Sequence, residues 1–107
     1  MCDNSGILMV YMTVSSRDEA DTIADMLITK RLAACVNVLG KISSVYEWEG
    51  KIEHSDEFAI IAKTTEEKYP QLEQHVKDSH SYECPCIVAM PITNGHGPFL
   101  EWVRRQV

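Results

Sequence analysis

The sequence predicts an α+β fold: an antiparallel sheet with two helices on one face and a long hairpin projecting from it. Three observations carry that expectation. Strand-like and helix-like stretches follow one another as β-α-β-β-α-β, with a further helix at the end. The two central strand-like stretches are long, rich in aromatic residues and joined at Glu49-Gly50. The first strand is apolar on both of its faces.

Each element has a local cause. Ile7 to Val14 reads Ile-Leu-Met-Val-Tyr-Met-Thr-Val, without polar alternation, so both faces are expected to be buried. Ser16-Arg-Asp-Glu19 is a capping box, in which the serine hydroxyl and the glutamate carboxylate satisfy each other's backbone amides. The helix it opens is expected to run to about Ala33, with Ala20, Ile23, Ala24, Leu27 and Ile28 as its apolar stripe. Cys35 to Trp48 and Lys51 to Thr64 form the two arms of the long hairpin, with Glu49-Gly50 as the turn. Gly40 marks a bend or bulge in the first arm. Thr64-Thr-Glu-Glu67 reads as a second capping box, opening a helix to about Ser79 with a thin stripe of Tyr69, Leu72 and Val76. Pro70 is tolerated in its first turn. Cys86 to Met90 is a short strand stopped by Pro91, and Pro98 starts a last helix carrying Phe99, Leu100, Trp102 and Val103.

That order is the ferredoxin-like split βαβ arrangement. It is expected as a single domain over residues 1–107, with residues 1–6 a loose N-terminal end. With both helices on one face, the other face of the sheet lacks a cover, and the chain is too short to supply one. Self-association is the expected remedy.

Composition narrows the function. The formal charge is −6 and the basic residues are scattered, which argues against a nucleic-acid partner. No apolar run reaches membrane-spanning length, and Ile7 to Val14 is too short and lacks the basic flank of a secretory signal, so no membrane role and a cytoplasmic location are expected. In that compartment the four cysteines are expected to be free thiols. Cys84 and Cys86, flanking Pro85, are expected to point to opposite faces and not to pair with each other.

Five motifs resemble those of the CutA family of divalent-cation-tolerance proteins. They are Leu32-Ala-Ala-Cys-Val-Asn37, Ser44-Val-Tyr-Glu-Trp-Glu-Gly-Lys-Ile-Glu53, Ile60-Ile-Ala-Lys-Thr64, Tyr82-Glu-Cys-Pro-Cys-Ile-Val-Ala-Met-Pro-Ile92 and Phe99-Leu-Glu-Trp102. The resemblance covers nearly the whole chain, from about Met9 to Arg104. The resemblance implies a homotrimer whose hairpins reach into neighbouring subunits, kinship in shape with PII-like signalling proteins, and a part in the response to metal ions, with copper binding proposed for the family. It implies no enzymatic activity. The family's usual Pro before Tyr82 is Ser81 here, and its usual Glu after Pro85 is Cys86. The copper ligands proposed in the family fall on Met12, Ser79 and His80.

The residues themselves leave two readings open at each candidate site. His80, Cys86 and Met12 offer imidazole, thiolate and thioether, a soft set suited to copper, Cu(I) above all. Alternatively, His80 closes the inner face of its helix after Leu72 and Val76, and Cys35 is a small apolar core residue. Tyr46, Trp48 and Tyr82, with Lys63 among nearby polar groups, either anchor a subunit interface or line a ligand cleft between subunits. Glu47, Glu49, Glu53, Asp56 and Glu57 read as a solvated acidic face. No nucleophile elbow, phosphate loop or metalloprotease motif is present. The expected function is that of a trimeric, non-enzymatic protein of metal-ion response, with a PII-like small-molecule sensor or regulatory scaffold as the alternative.

Overall fold

The computed structural model describes residues 6–107; apart from Gly6, the expected loose end lies outside them. The elements are β1 (Ile7–Val14), α1 (Arg17–Thr29), β2 (Cys35–Trp48), β3 (Lys51–Thr65), α2 (Tyr69–Ser79), β4 (Ile87–Pro91) and α3 (Gly97–Gln106). The strands form one antiparallel sheet in the order β2-β3-β1-β4, the split βαβ topology the sequence predicts.

Two helix boundaries differ from expectation, each for a visible reason. α1 ends at Thr29, about one turn short of Ala33. Arg31 adopts a positive φ of 57°, and the Leu32 amide donates back to the Leu27 carbonyl at 2.8 Å. This is a Schellman-type closure with arginine where glycine is usual. It drops Leu32, Ala33 and Ala34 into the interior and leaves Ile28 on the surface. The second capping box does not form. The Thr64 hydroxyl instead donates to the Leu32 carbonyl at 2.6 Å inside the core, β3 runs on to Thr65, and α2 begins at Tyr69 with Pro70 in its first turn.

Side chains alternate across the sheet. Val10, Met12 and Val14 of β1, with Ile60 and Ala62 of β3, face the helices and pack with Ala20, Ile23 and Leu27 of α1 and Leu72 and Val76 of α2. On the opposite face, α3 covers only one end, where Leu100 and Val103 pack on Ile7 and Ala34. Val88 and Met90 of β4, registered with Tyr11 and Met9 on that same face, remain half exposed.

The hairpin dominates the shape. The chain measures 47 × 28 × 22 Å with a radius of gyration of 14.7 Å, against about 13 Å for a compact chain of this length. Glu49 and Gly50 both have positive φ, 52° and 81°, the backbone of a tight hairpin turn. A bulge interrupts β2 between Val38 and Gly40, and Gly40 supplies it with a φ of 102°. The extra residue reverses the facing of everything beyond it. Val36 and Val38 register with Ala62 and Ile60 on the helix side. After the bulge, Tyr46 registers with Glu53 and Ile42 with Glu57, on the side away from the helices.

Candidate functional site

The reversal at Gly40 brings Tyr46 and Trp48 to the same face as Thr13 and Ser15 at the end of β1. There, with Glu53, Ser55, Asp56 and Glu57 of β3 and the Tyr82–Cys86 segment, they line a cleft of ≈ 620 Å³. Its lining contains four carboxylates, three aromatic rings and two thiols. It contains no lysine, arginine or histidine.

Glu57 forms the floor. It is 8% exposed, and its carboxylate accepts a hydrogen bond from the Tyr82 hydroxyl. Burial and then this anionic partner push the Tyr82 phenol well above its usual range. Tyr82 is held at two further points. Its amide donates to His80 Nδ1 at 3.1 Å, and its ring packs on the imidazole with centroids 4.7 Å apart. Across the cleft, the Tyr46 hydroxyl lies 3.3 Å from Ser55 Oγ. Cys86, an exposed residue, also lines the cleft. Burial first, then the charge of Glu57, pushes its thiol up, while a side-chain hydrogen bond with Thr13 pulls the other way.

The segment carrying Tyr82 is tied down by Glu19, the last residue of the first capping box. Glu19 accepts from the Ser15 amide at 2.9 Å and hydroxyl at 2.8 Å, and from the Ser81 amide at 2.8 Å and hydroxyl at 3.1 Å. Burial alone would raise the Glu19 carboxyl, but these hydrogen bonds outweigh it and hold the group below its ordinary value. Ser81 therefore serves the site directly. A proline at this position has no amide hydrogen to donate.

The predicted site residues separate. Tyr46, Trp48 and Tyr82 share the cleft; Lys63 lies at the other end of β3, donating to Asn37 Oδ1 at 2.7 Å. His80, Cys86 and Met12 do not converge. Met12 is fully buried in the core facing the helices, whereas Cys86 lies with Thr13 on the opposite face. The His80 side chain is also buried. Its Nε2 donates to the Thr13 carbonyl at 2.7 Å and its Nδ1 accepts from Tyr82, partners that assign the neutral Nε2–H tautomer and occupy both nitrogens. The expectation that Cys84 and Cys86 point apart does not hold. Residues two apart in an extended chain share a face, and both thiols line the cleft. Cys35, Cys84 and Cys86 are free thiols; Cys2 lies outside the described residues. Among the described residues, no three His, Cys, Asp or Glu side chains are grouped to hold a metal ion.

Comparison with known proteins fixes the lineage. The family described as CutA1 divalent ion tolerance protein matches residues 8–106. The chain belongs to the CutA1 family. It is 48% identical over 98 residues to the divalent-cation tolerance protein CutA of Archaeoglobus fulgidus, covering 92% of this chain and 95% of that one. It is 42% identical to the CutA of Thermus thermophilus, covering 90% and 93%. Against the chloroplastic CutA of Arabidopsis thaliana the identity is 40% over 91% of this chain but only 53% of the relative, so the chain spans about half of that longer protein. The solved A. fulgidus structure, described as a periplasmic divalent cation tolerance protein, superposes with a TM-score of 0.91 at 46% identity, covering 94% of this chain and 97% of that one. No helix among the described residues is long and apolar enough to cross a membrane.

Proposed function

We propose that this CutA1-family chain works as a non-catalytic homotrimer in the response to metal ions, with the cleft beside the hairpin as its working site. The observation that carries the assembly is the apolar surface of the projecting hairpin. Val45, Tyr46, Trp48 and Ile52 are 61%, 44%, 47% and 65% exposed, and they occupy both faces of the two-stranded arm. A ribbon of this kind is a template for association. Covering each half-exposed side chain contributes roughly 1 kcal/mol or more. A neighbouring copy supplies the cover that α3 gives to one end of the sheet only.

Copper, as the cargo of this reading, enters at Cys86 and Cys84. The two thiols share one wall of the cleft, and thiolate ligands suit Cu(I). Copper at His80 would require its imidazole to surrender the Tyr82 amide or the Thr13 carbonyl, and Met12 would have to leave the core. A reducing, cytoplasmic setting keeps the thiols available. Titration of the reduced protein with Cu(I) against a competing chelator tests this. Saturable binding that weakens as pH falls, because the thiols must lose their protons, and that disappears in a Cys84→Ser, Cys86→Ser double variant is the expected result. A double variant that binds Cu(I) as the unsubstituted protein does contradicts the site.

One observation favours a second reading, a regulatory sensor of PII-like kind. The cleft volume of ≈ 620 Å³ falls within the range of small-molecule sites, and aromatic walls with a few fixed polar groups are their usual lining.

A further inference from the structure

We infer that the cleft selects a small organic cation, an amine or quaternary ammonium group with a modest apolar body. The inference rests on the second reading, that the cleft is a ligand site, and adds the chemical class of the ligand.

Acidity alone does not carry it. Hydrated metal ions are recognised by converging oxygen or nitrogen ligands, and no such group of three exists among the described residues. The cleft instead combines a concave volume with aromatic rings and charge of one sign. Tyr46, Trp48 and Tyr82 all line it, and the faces of such rings attract an organic cation. Glu57 in the floor and Glu53 and Glu83 in the walls add negative charge. None of these three takes part in a salt bridge among the described residues, whereas Asp56 is partly spent on Lys41 at 3.8 Å. No basic side chain lines the space to welcome an anion. Lys51, registered with Trp48 at the hairpin tip, is outside the lining.

The walls are also fixed in advance. Tyr82 is held through its amide, its ring and its hydroxyl. The bulge at Gly40 sets the facing of Tyr46 and Trp48. A buried Glu57 beneath aromatic walls gives a cation a partly desolvated counter-charge, where both charge pairing and the ring quadrupole act more strongly than in water. A neutral molecule of the same shape would collect only the apolar part of that attraction.

Calorimetric titration of the assembled protein with choline chloride, and with the neutral isostere 3,3-dimethylbutan-1-ol at matched ionic strength, tests the inference. The cation is expected to bind saturably and about tenfold or more tightly than the isostere. Glu57→Gln, which keeps an acceptor for Tyr82, is expected to lower its affinity by at least that factor, and Glu83→Gln, which lines the cleft from outside the hairpin that carries assembly, is expected to lower it too. Should Glu57→Gln fail to fold, the Glu83→Gln result and the isostere ratio decide the matter. The Cys84→Ser, Cys86→Ser double variant is expected to bind the cation unchanged, which separates this inference from the copper site. Equal binding of cation and isostere, or preferential binding of acetate used as an anionic probe, overturns the cation assignment while leaving a ligand cleft in place. Absence of saturable binding by all three overturns both.

Discussion

Glu19 links two things that sequence reading treats separately, the start of a helix and the wall of a site. Its amide donates to the Ser16 hydroxyl at the first turn of α1 while its carboxylate takes the Ser15 amide; through Ser81 it also fixes the segment that leads into Tyr82. Its carboxyl is held below the ordinary value of 4.5 in the folded chain. A group depressed in this way contributes stability that is present above its unfolded pKa and is lost as pH falls through the folded one. The unsubstituted protein should therefore lose melting temperature between about pH 5 and pH 3 more steeply than Glu19→Gln does, as thermal unfolding across that interval would measure. Parallel curves would show that the carboxylate contributes nothing. The Ser16 cap on the Glu19 amide was legible in Ser16-Arg-Asp-Glu19; the carboxylate's taking the Ser15 amide in place of the Ser16 amide, and its reach across 62 positions to Ser81, were not. Glu57 was misread for a related reason. It sits in a run of exposed carboxylates, and only Tyr82, far along the chain, converts its position into a buried floor. Strand parity held part of the answer, since Glu57 alternates in step with the buried Ala59.

At the scale of elements, the hairpin and its bulge decide where the chemistry lies. Gly40 was legible as an irregularity because glycine in a long strand has few other uses. Its consequence, the reversed facing of Tyr46 and Trp48, depends on a register that local sequence does not state. At a φ of 102°, a side chain at position 40 is strained, although a Cβ there would meet no atom within 4 Å. The cost of Gly40→Ala is therefore backbone strain rather than collision. It should destabilise the protein by about 1–2 kcal/mol, read from denaturant unfolding. A change under a few tenths would mean that the bulge relaxes freely. The strands themselves were nearly all readable from apolar patterning. The misplaced helix boundaries fall where tertiary partners took over: Thr64 found the Leu32 carbonyl instead of its own helix, and Arg31 turned the chain where no glycine announced it.

For the whole molecule, the question is what covers the apolar surface that one chain leaves open. Val88 and Met90 on the sheet and Val45, Tyr46, Trp48 and Ile52 on the hairpin are all 44% exposed or more. The uncovered face was predictable from the first strand, since a run apolar at both parities cannot rest on two helices alone. The partial lid formed by α3 was not, because the terminal helix gives no sign in sequence of which face it joins. Light scattering coupled to size exclusion at micromolar concentration measures the remedy directly. The account predicts a species of three times the 12.1 kDa chain mass, shifted toward smaller species by Trp48→Ala, since truncating a buried interface aromatic commonly costs ~2 kcal/mol or more. A stable mass of one chain at that concentration would contradict it.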